Sequence, residues 1–240
     1  MCEQGEVPRT AHFASSGSIA VVRRADYIHP MPPDATETRR RLIRAAERVF
    51  AQRGVDNATV REILADAKVS NSSAVQYHFG SREQLVKLVF AAHASRIDEH
   101  RVPLVATLRA QPEPATIEQL IGAVVIPLAE QLRTESGRDC LRAIVHMRER
   151  SGLRADGRLG GTVSAELAWI HRQLDERLAH LAEPVRRERV AAWSDMVVAA
   201  LGGRAAYPID SSEFRLGVDD FATNLIDMAT AALQSPCRLT

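Results

Sequence analysis

The chain has few of the residues that mark several common classes of protein. Its three cysteines, Cys2, Cys140 and Cys237, are too few and too widely separated for a disulfide framework, and no two have the spacing of a metal site. No apolar run approaches the roughly 18 residues that a membrane-spanning helix needs. These absences predict a protein of the reducing cytoplasm that binds no metal and crosses no membrane.

Catalytic signatures are also missing from the sequence. No glycine-rich phosphate loop follows a strand pattern, no serine elbow is present, and no histidine pair has metalloprotease spacing. His93 and His100 lie seven residues apart on one predicted helix, but a third ligand is lacking. We therefore expect no enzymatic activity and no cofactor.

Aromatic residues make up only 5% of the chain, and alanine, leucine, valine and arginine dominate. This composition favours helices over strands. With 240 residues, 45% of them hydrophobic, the chain can bury a large core. The sequence predicts an all-α protein.

Four helix signals and three breaks lie between Thr36 and Phe90. The first predicted helix covers about 37–53 and stops at Gly54, and Thr59 with Glu62 forms a capping box that opens a short second helix. Ser81 with Gln84 forms another capping box, which opens a long fourth helix expected to bend or end near Pro103. Short helices separated by sharp turns are typical of a helix-turn-helix.

The third helix of this segment is unusually polar. Ser70 or Asn71 is expected to cap it, and Ala74 and Val75 can pack inward. Several small polar groups and one aromatic ring stay available to solvent, where they could meet base edges and phosphates. These are Asn71, Ser72, Ser73, Gln76 and Tyr77. A small helical bundle in which serine and asparagine only cap the helix is the alternative.

Charge is unevenly distributed along the chain. Thr38 to Lys87 holds ten basic and five acidic residues, a net +5, whereas the whole chain is +1. A basic segment within an otherwise acidic chain is expected where one end of a protein meets phosphates. A solvated charged surface is the plainer interpretation.

Residues 36–90 resemble the DNA-binding domain of the tetracycline-repressor (TetR) family. The resemblance rests on the arginine-rich first helix ending in Phe50 and Gly54, the Thr59 start with Arg61, Glu62 and Ile63, the Val69–Ser70 pair, and the run Tyr77 to Glu83 leading into Leu85. The chain has one more residue between its Val-Ser and His-Phe pairs than the commonest family pattern, and Gln76 stands where that pattern has tyrosine. Which of Ser72, Ser73 and Gln76 reach bases is left open by this departure.

The resemblance implies a DNA-contacting surface. Phosphate contacts are implied for Thr59, Tyr77, His78 and Arg82, and groove contacts for Asn71 to Ser73 and Gln76. The full set of expected DNA-binding residues is Arg39, Arg40, Thr59, Arg61, Ser70, Asn71, Ser72, Ser73, Gln76, Tyr77, His78, Ser81, Arg82 and Lys87.

Five more helices are predicted after residue 91. They cover about 116–132, 138–150, 162–181, 184–201 and 212–233, and each carries an apolar face at spacings of three and four. Gly202 and Gly203 are expected to end the eighth helix, and the four glycines of 151–161 predict a mobile loop.

In the family, helices four to seven enclose an effector cavity and the last two helices form a dimer. The residues that could line the cavity are His93, Cys140, Ile144, Met147 and Trp169, although each could equally fill an ordinary core. The apolar stripes of the last two helices predict a dimer interface that would otherwise be exposed, although they could simply complete the core. Their members are Val190, Trp193, Val197, Leu201, Phe221, Leu225 and Met228.

The sequence therefore predicts a disordered arm at 1–33, with Met31 as a candidate start, a helix-turn-helix domain at 34–90 and a ligand-binding and dimerisation domain at 91–240. The resemblance implies a cytoplasmic transcriptional regulator, a repressor that binds double-stranded palindromic operator DNA as a homodimer and is released by an unidentified small molecule. An all-helical enzyme or small-molecule carrier with a vestigial helix-turn-helix is one alternative. A regulator that answers to a protein partner is another.

Overall fold

The computed structural model describes residues 33–151, 164–208 and 216–238, and every regular element in these ranges is helical. The all-α prediction is confirmed. The helices are α1 (Pro33–Arg53), α2 (Val60–Asp66), α3 (Ala74–Phe79), α4 (Arg82–Ala110), α5 (Ile117–Ala129), α6 (Glu135–Ser151), α7 (Ala165–Arg177), α8 (Glu183–Ala205) and α9 (Val218–Gln234), with a 3₁₀ turn at Glu130–Arg133.

The predicted starts of α2, α4 and α5 match the structure because side-chain caps determine them. The hydroxyl of Thr59 accepts a hydrogen bond from the amide of Glu62, and the hydroxyl of Ser81 accepts one from the amide of Gln84. Gly54 ends α1 at φ +76°, where its amide donates to the carbonyl of Phe50. These local contacts separate the short helices of the first third of the chain.

Two positions expected to interrupt helices lie inside them. Pro103 was expected to bend or end the fourth helix, and α4 does not end there but continues to Ala110; Pro103 is exposed, so water can satisfy the carbonyl one turn earlier that the missing amide leaves unbonded. Helix α8 runs through Gly202 and Gly203 to Ala205. Gly202 is needed for packing instead, because a Cβ there would lie 2.2 Å from Cγ2 of Val145 on α6.

The helices build two hydrophobic cores, and α6 contributes to both. The head core lies among α1, α2, α3 and the first part of α4, and Cys140, Ala143 and Ile144 of α6 complete it. Leu141, on the neighbouring side of α6, belongs to the larger core formed with α4, α5, α7, α8 and α9. The head and the larger domain are therefore packed through a shared helix.

Some expectations lie outside the described residues. These are the arm up to residue 32, most of the glycine-rich segment 151–161, and the expected start of the last helix near Ser212. Within the described ranges, no helix is both long enough and apolar enough to cross a membrane.

Candidate DNA-binding surface and interdomain contacts

The start of α2 is held by a complete capping box. The backbone amide and the hydroxyl of Thr59 both donate to Oε2 of Glu62, at 2.9 and 2.8 Å. These bonds lower the pKa of Glu62 below its usual range, with the backbone amide contributing most. Thr59 itself is exposed at the end of the helix, where the positive pole of the helix dipole favours an anion.

The turn between α2 and α3 contains a strained residue. Lys68 adopts φ +53°, a left-handed conformation that side chains with a Cβ disfavour. Its carbonyl accepts a hydrogen bond from Arg41 of α1 at 2.7 Å. The turn is therefore held from the side of α1.

Helix α3 begins later than the predicted Ser70 or Asn71. The side-chain oxygen of Asn71 accepts bonds from the amide and the hydroxyl of Ser73, at 2.9 and 2.8 Å, and this local turn replaces the first helical residues. Ser73 is the N-cap, without a capping bond from its side chain, and Ala74 is the first helical residue. The predicted cap is wrong because the asparagine closes a turn.

The two faces of α3 differ sharply in burial. Ala74, Val75 and Phe79 are packed in the head core, whereas Gln76 and Tyr77 face solvent, with 73% of Tyr77 exposed. An exposed aromatic ring on a short helix next to an amide side chain is a surface suited to contact with another polar molecule. The division between inward and exposed residues predicted for this helix is confirmed.

His78 lies between these two faces. It is half-buried beside Tyr77, with the ring centroids 4.9 Å apart. Burial, and then the charge of Arg39, lower the pKa of His78, so the imidazole is neutral at neutral pH. Arg39 itself lies over the ring of Phe79, 5.3 Å from its centroid, and so joins the first turns of α1 to the end of α3.

Most of the basic residues behind the net +5 have partners within the protein. Four arginines of α1 and two residues that follow the end of α2 line a groove of about 280 Å³ together with Asp66. The arginine partners along α1 are Glu37 for Arg40, the carbonyls of Ala67 and Lys68 for Arg41, Glu47 and Asp139 for Arg44, Asp66 for Arg48, and Glu62 for Arg53. The charge count alone therefore overstates the cationic surface available to phosphates.

Three exposed cations of the head remain without such partners. Arg61 on α2, Lys68 in the turn and Lys87 on α4 are exposed, and none forms an ion pair within the part of the chain that the structure describes. They are the side chains best placed to attract a polyanion.

Arg82 has partners that the sequence did not indicate. Its Nε and one terminal nitrogen donate to the carbonyl of Ala58, at 3.2 and 3.0 Å, and the same terminal nitrogen also reaches the carbonyl of Val55. The side chain is half-buried against the loop between α1 and α2. The expected phosphate ligand thus faces the protein's own backbone.

The expected DNA-binding residues lie on one contiguous set of elements: the start of α1, the start of α2, the turn before α3, α3 itself and the start of α4. The exposed ones are Arg40, Thr59, Arg61, Ser70, Asn71, Ser72, Ser73, Gln76, Tyr77 and Lys87, and the half-buried ones are Arg39, His78, Ser81 and Arg82.

A buried polar cluster joins the head to the larger domain, and sequence reasoning missed it. Glu47 of α1 is 3% exposed and accepts hydrogen bonds from His93 of α4 and Ser136 of α6, both at 2.9 Å, and from Arg44. Burial raises the pKa of Glu47, but the bonds from these three donors outweigh it and hold the pKa below its ordinary value. The sequence signal that could have indicated this cluster is the position of Glu47 within the apolar face of α1.

The five residues expected to line an effector cavity are divided between the head and the larger core. His93 bonds to Glu47, while Cys140, Ile144 and Met147 pack against the head core. Burial raises the pKa of the Cys140 thiol, which stays neutral and packs as a small apolar group. Trp169 packs on the larger core, under the guanidinium of Arg109. The effector cavity itself stays a prediction, with α6 turning Cys140 and Ile144 toward the head core.

The apolar stripes of α8 and α9 are largely covered by the protomer itself. Four of their seven members are at most 3% exposed within the larger core, namely Trp193, Val197, Leu201 and Leu225. Val190 and Phe221 are half-buried, and Met228 is 53% exposed. The prediction that the stripes leave a large exposed surface is wrong for the four buried residues, since the two helices complete the core.

Comparison with known proteins supports the interpretation of the head. A family model described as bacterial regulatory proteins, tetR family, matches residues 42–89. An uncharacterised helix-turn-helix transcriptional regulator of Pseudomonas putida, TtgW, is 31% identical over 98 residues, which cover 41% of this chain and 71% of the relative.

One solved structure has a similar fold over most of the chain. A TetR-like transcriptional regulator from Rhodococcus sp. RHA1 has a TM-score of 0.51 and 16% identity, with 83% of this chain and 97% of the other covered. NalD, a repressor from Pseudomonas aeruginosa, has a TM-score of 0.45 and 16% identity over 84% of this chain and 98% of its own. The motifs of the head, the relative and the shared helical fold together show that the chain belongs to the tetR family of bacterial transcriptional regulators.

Proposed function

We propose that this DNA-binding regulator reads its operator through the exposed face of α3, with the starts of α2 and α4 on the flanking phosphates. The observation that carries the proposal is the pair Gln76 and Tyr77, exposed on a helix whose other face is fixed in the head core. A helix held in this way presents its side chains to the major groove in a defined orientation.

Each exposed group has a distinct expected role. The amide of Gln76 has both a donor and an acceptor, the combination that pairs with adenine in the major groove. Arg61 and Lys87 are exposed cations for the phosphates, and the hydroxyls of Thr59 and Tyr77 add uncharged contacts. The neutral imidazole of His78 can donate one hydrogen bond without adding charge.

The experiment begins with selection of bound fragments from genomic DNA, followed by affinity measurements on the selected operator and on random DNA at several salt concentrations. Gln76→Ala should cost about 1–3 kcal/mol on the operator and nothing on random DNA. Gln52→Ala, an exposed glutamine at the end of α1, is the matched control and should change neither. Equal losses on both DNAs would place Gln76 on the backbone, and no salt-dependent binding by the unchanged protein would reject the proposal.

We further propose that the protein acts as a homodimer on a palindromic site, through the outward faces of α8 and α9. Exposed small residues such as Ala192 and Ala199 on α8 allow close approach of a second copy, and Met228 on α9 supplies an exposed apolar side chain. A two-fold pair of heads would match half-sites about one helical turn apart.

The regulatory part of the proposal is a cytoplasmic repressor that a small molecule releases from DNA. Two helices support it: α4 runs for 29 residues from the head into the larger domain, and α6 is packed in both cores. A ligand that shifts either helix would change the spacing of the two heads. A compound screen should find a ligand that raises the Tm and weakens operator binding together; a purified partner protein that alone weakens binding would favour the alternative.

A further inference from the structure

The peptide group between Ala58 and Thr59 is held from both sides. Its carbonyl oxygen accepts two hydrogen bonds from the guanidinium of Arg82, at 3.2 and 3.0 Å, and its N–H donates to Oε2 of Glu62 at 2.9 Å. Because a peptide group is planar and stiff, a residue that fixes its carbonyl also fixes the direction of its N–H. Arg82 on α4 and Glu62 on α2 are thus joined through one rigid unit.

The same guanidinium also reaches the carbonyl of Val55, at the other end of the short loop between α1 and α2. The fork of Arg82 therefore spans the loop and satisfies two of its carbonyls with one planar group. Val55 and Ala58 are themselves buried in the head core, which limits how far the loop can move away from Arg82.

We propose that Arg82 contributes to operator binding as a positioning residue, which fixes the start of α2 relative to α4, and that it is not a phosphate ligand. The proposal rests on the DNA-binding surface described above. The guanidinium of Arg82 directs its Nε and one terminal nitrogen toward the protein's own backbone. Thr59, the N-cap residue that it positions, is exposed to solvent. A displacement of the first turn of α4 would be carried directly to the start of α2.

A lysine at this position separates the two roles. Lysine is a good phosphate ligand but a single point charge, and it cannot bridge two carbonyls as the guanidinium fork does. Arg82→Lys should therefore retain a phosphate contact but lose the positioning contact. Arg82→Met retains the aliphatic stem and loses both.

The first measurement is hydrogen exchange of the bonded amides of Thr59, Glu62 and Ile63 in the full-length protein without DNA. Both Arg82→Lys and Arg82→Met should exchange there at least about tenfold faster, the loss of protection expected when a hydrogen bond from a charged group is removed. Arg61→Ala, which removes an exposed cation from the same helix, should leave the exchange unchanged. Unchanged exchange in both Arg82 variants would overturn the positioning role.

The second measurement is operator affinity as a function of salt concentration. Both Arg82 variants should bind about tenfold more weakly with the salt slope of the unchanged protein, whereas Arg61→Ala should flatten the slope by about 0.9. Full affinity for Arg82→Lys together with a flattened slope for Arg82→Met would show a phosphate ligand and reject the proposal. If the unchanged protein binds no DNA, the proposed function fails, but the exchange measurement still decides whether Arg82 holds the loop.

Discussion

The Nε2 atom of His93 on α4 lies 2.9 Å from a carboxylate oxygen of Glu47 on α1, and both side chains are buried. Ser136 of α6 donates to the other oxygen of the same carboxylate. One carboxylate thus receives donors from the helix that leads out of the head and from the helix that is shared between the two cores. A charge buried with these partners is stabilising only while the partners are present.

Removal of the Glu47 charge should make the protein less sensitive to acid. The pKa of Glu47 is lowered in the folded protein, so its contribution to stability is present above the unfolded value, about pH 4.3, and is lost as the pH falls through the lower folded pKa. At pH 7, Glu47→Gln should unfold at a lower urea concentration than the unchanged protein. Below about pH 4.3 its free energy of unfolding should fall less than that of the unchanged protein. Glu37→Gln, at an exposed pair with Arg40, is the control and should behave like the unchanged protein.

Truncation of Glu47 should cost much more than its neutral replacement. Glu47→Ala leaves His93 and Arg44 without their shared acceptor, and breaking a buried pair in this way costs about 3–5 kcal/mol. Urea unfolding at pH 7 measures this loss of unfolding free energy. A loss below about 1 kcal/mol is what an exposed ion pair contributes, and it would show that solvent reaches the cluster.

The two adjacent glycines of α8 should respond to alanine in opposite directions. Gly202→Ala should destabilise the protein by about 1–3 kcal/mol, because the added Cβ meets Val145 of α6 at 2.2 Å. Gly203→Ala meets nothing within 4 Å and should stabilise the helix by up to about 1 kcal/mol. Thermal unfolding measures both, and Val145→Ala should recover part of the loss in Gly202→Ala. If the effects of Gly202→Ala and Val145→Ala simply add in the double variant, α8 and α6 do not meet at this point.

Replacement of Lys68, which has a left-handed backbone conformation, by glycine should stabilise the protein. Lys68→Gly removes a conformational cost of about 1–2 kcal/mol, offset by about 0.5–1 kcal/mol of added freedom in the unfolded chain, so the Tm should rise modestly. Lys68→Ala keeps a Cβ and should bring no such gain. A Tm that rises equally in both variants would mean that loss of the lysine charge is responsible.

Met228 and Leu225 should give opposite results when each is replaced by glutamate. Met228→Glu changes an exposed residue of the proposed interface and should give a folded monomer by light scattering, with unchanged helix content. Leu225→Glu places a charge in the protomer core and should unfold the protein. Val102→Glu, an exposed apolar residue on α4, is the control and should remain dimeric. An intact dimer of Met228→Glu would exclude this face.

The sequence predicted the elements of the head well because their signals are local. Thr59 with Glu62 and Gly54 each determine a helix end through neighbours a few residues away. The start of α3 was missed because Asn71 can cap a helix or close a turn, and the neighbouring residues in the sequence do not distinguish the two.

The missed contacts are those between distant parts of the chain. Periodicity shows that Trp193 and Leu225 lie on apolar faces, but it does not distinguish a face covered by the same protomer from one covered by a second copy. A count of charges likewise gives no pairing, so the bond from Arg82 to Ala58, 24 residues away, could not be inferred. Prediction of such contacts requires the three-dimensional arrangement.

The shared position of α6 limits how this head can be exchanged with other regulators. A hybrid joined at residue 90 would give up Cys140, Ala143 and Ile144, which cover the head core, and would leave Glu47 facing a foreign helix without Ser136. A graft that is to keep the head intact must therefore transplant the matching face of α6 as well. In this protein, the unit that can be transferred is a set of surfaces from separate parts of the chain and not a continuous stretch of sequence.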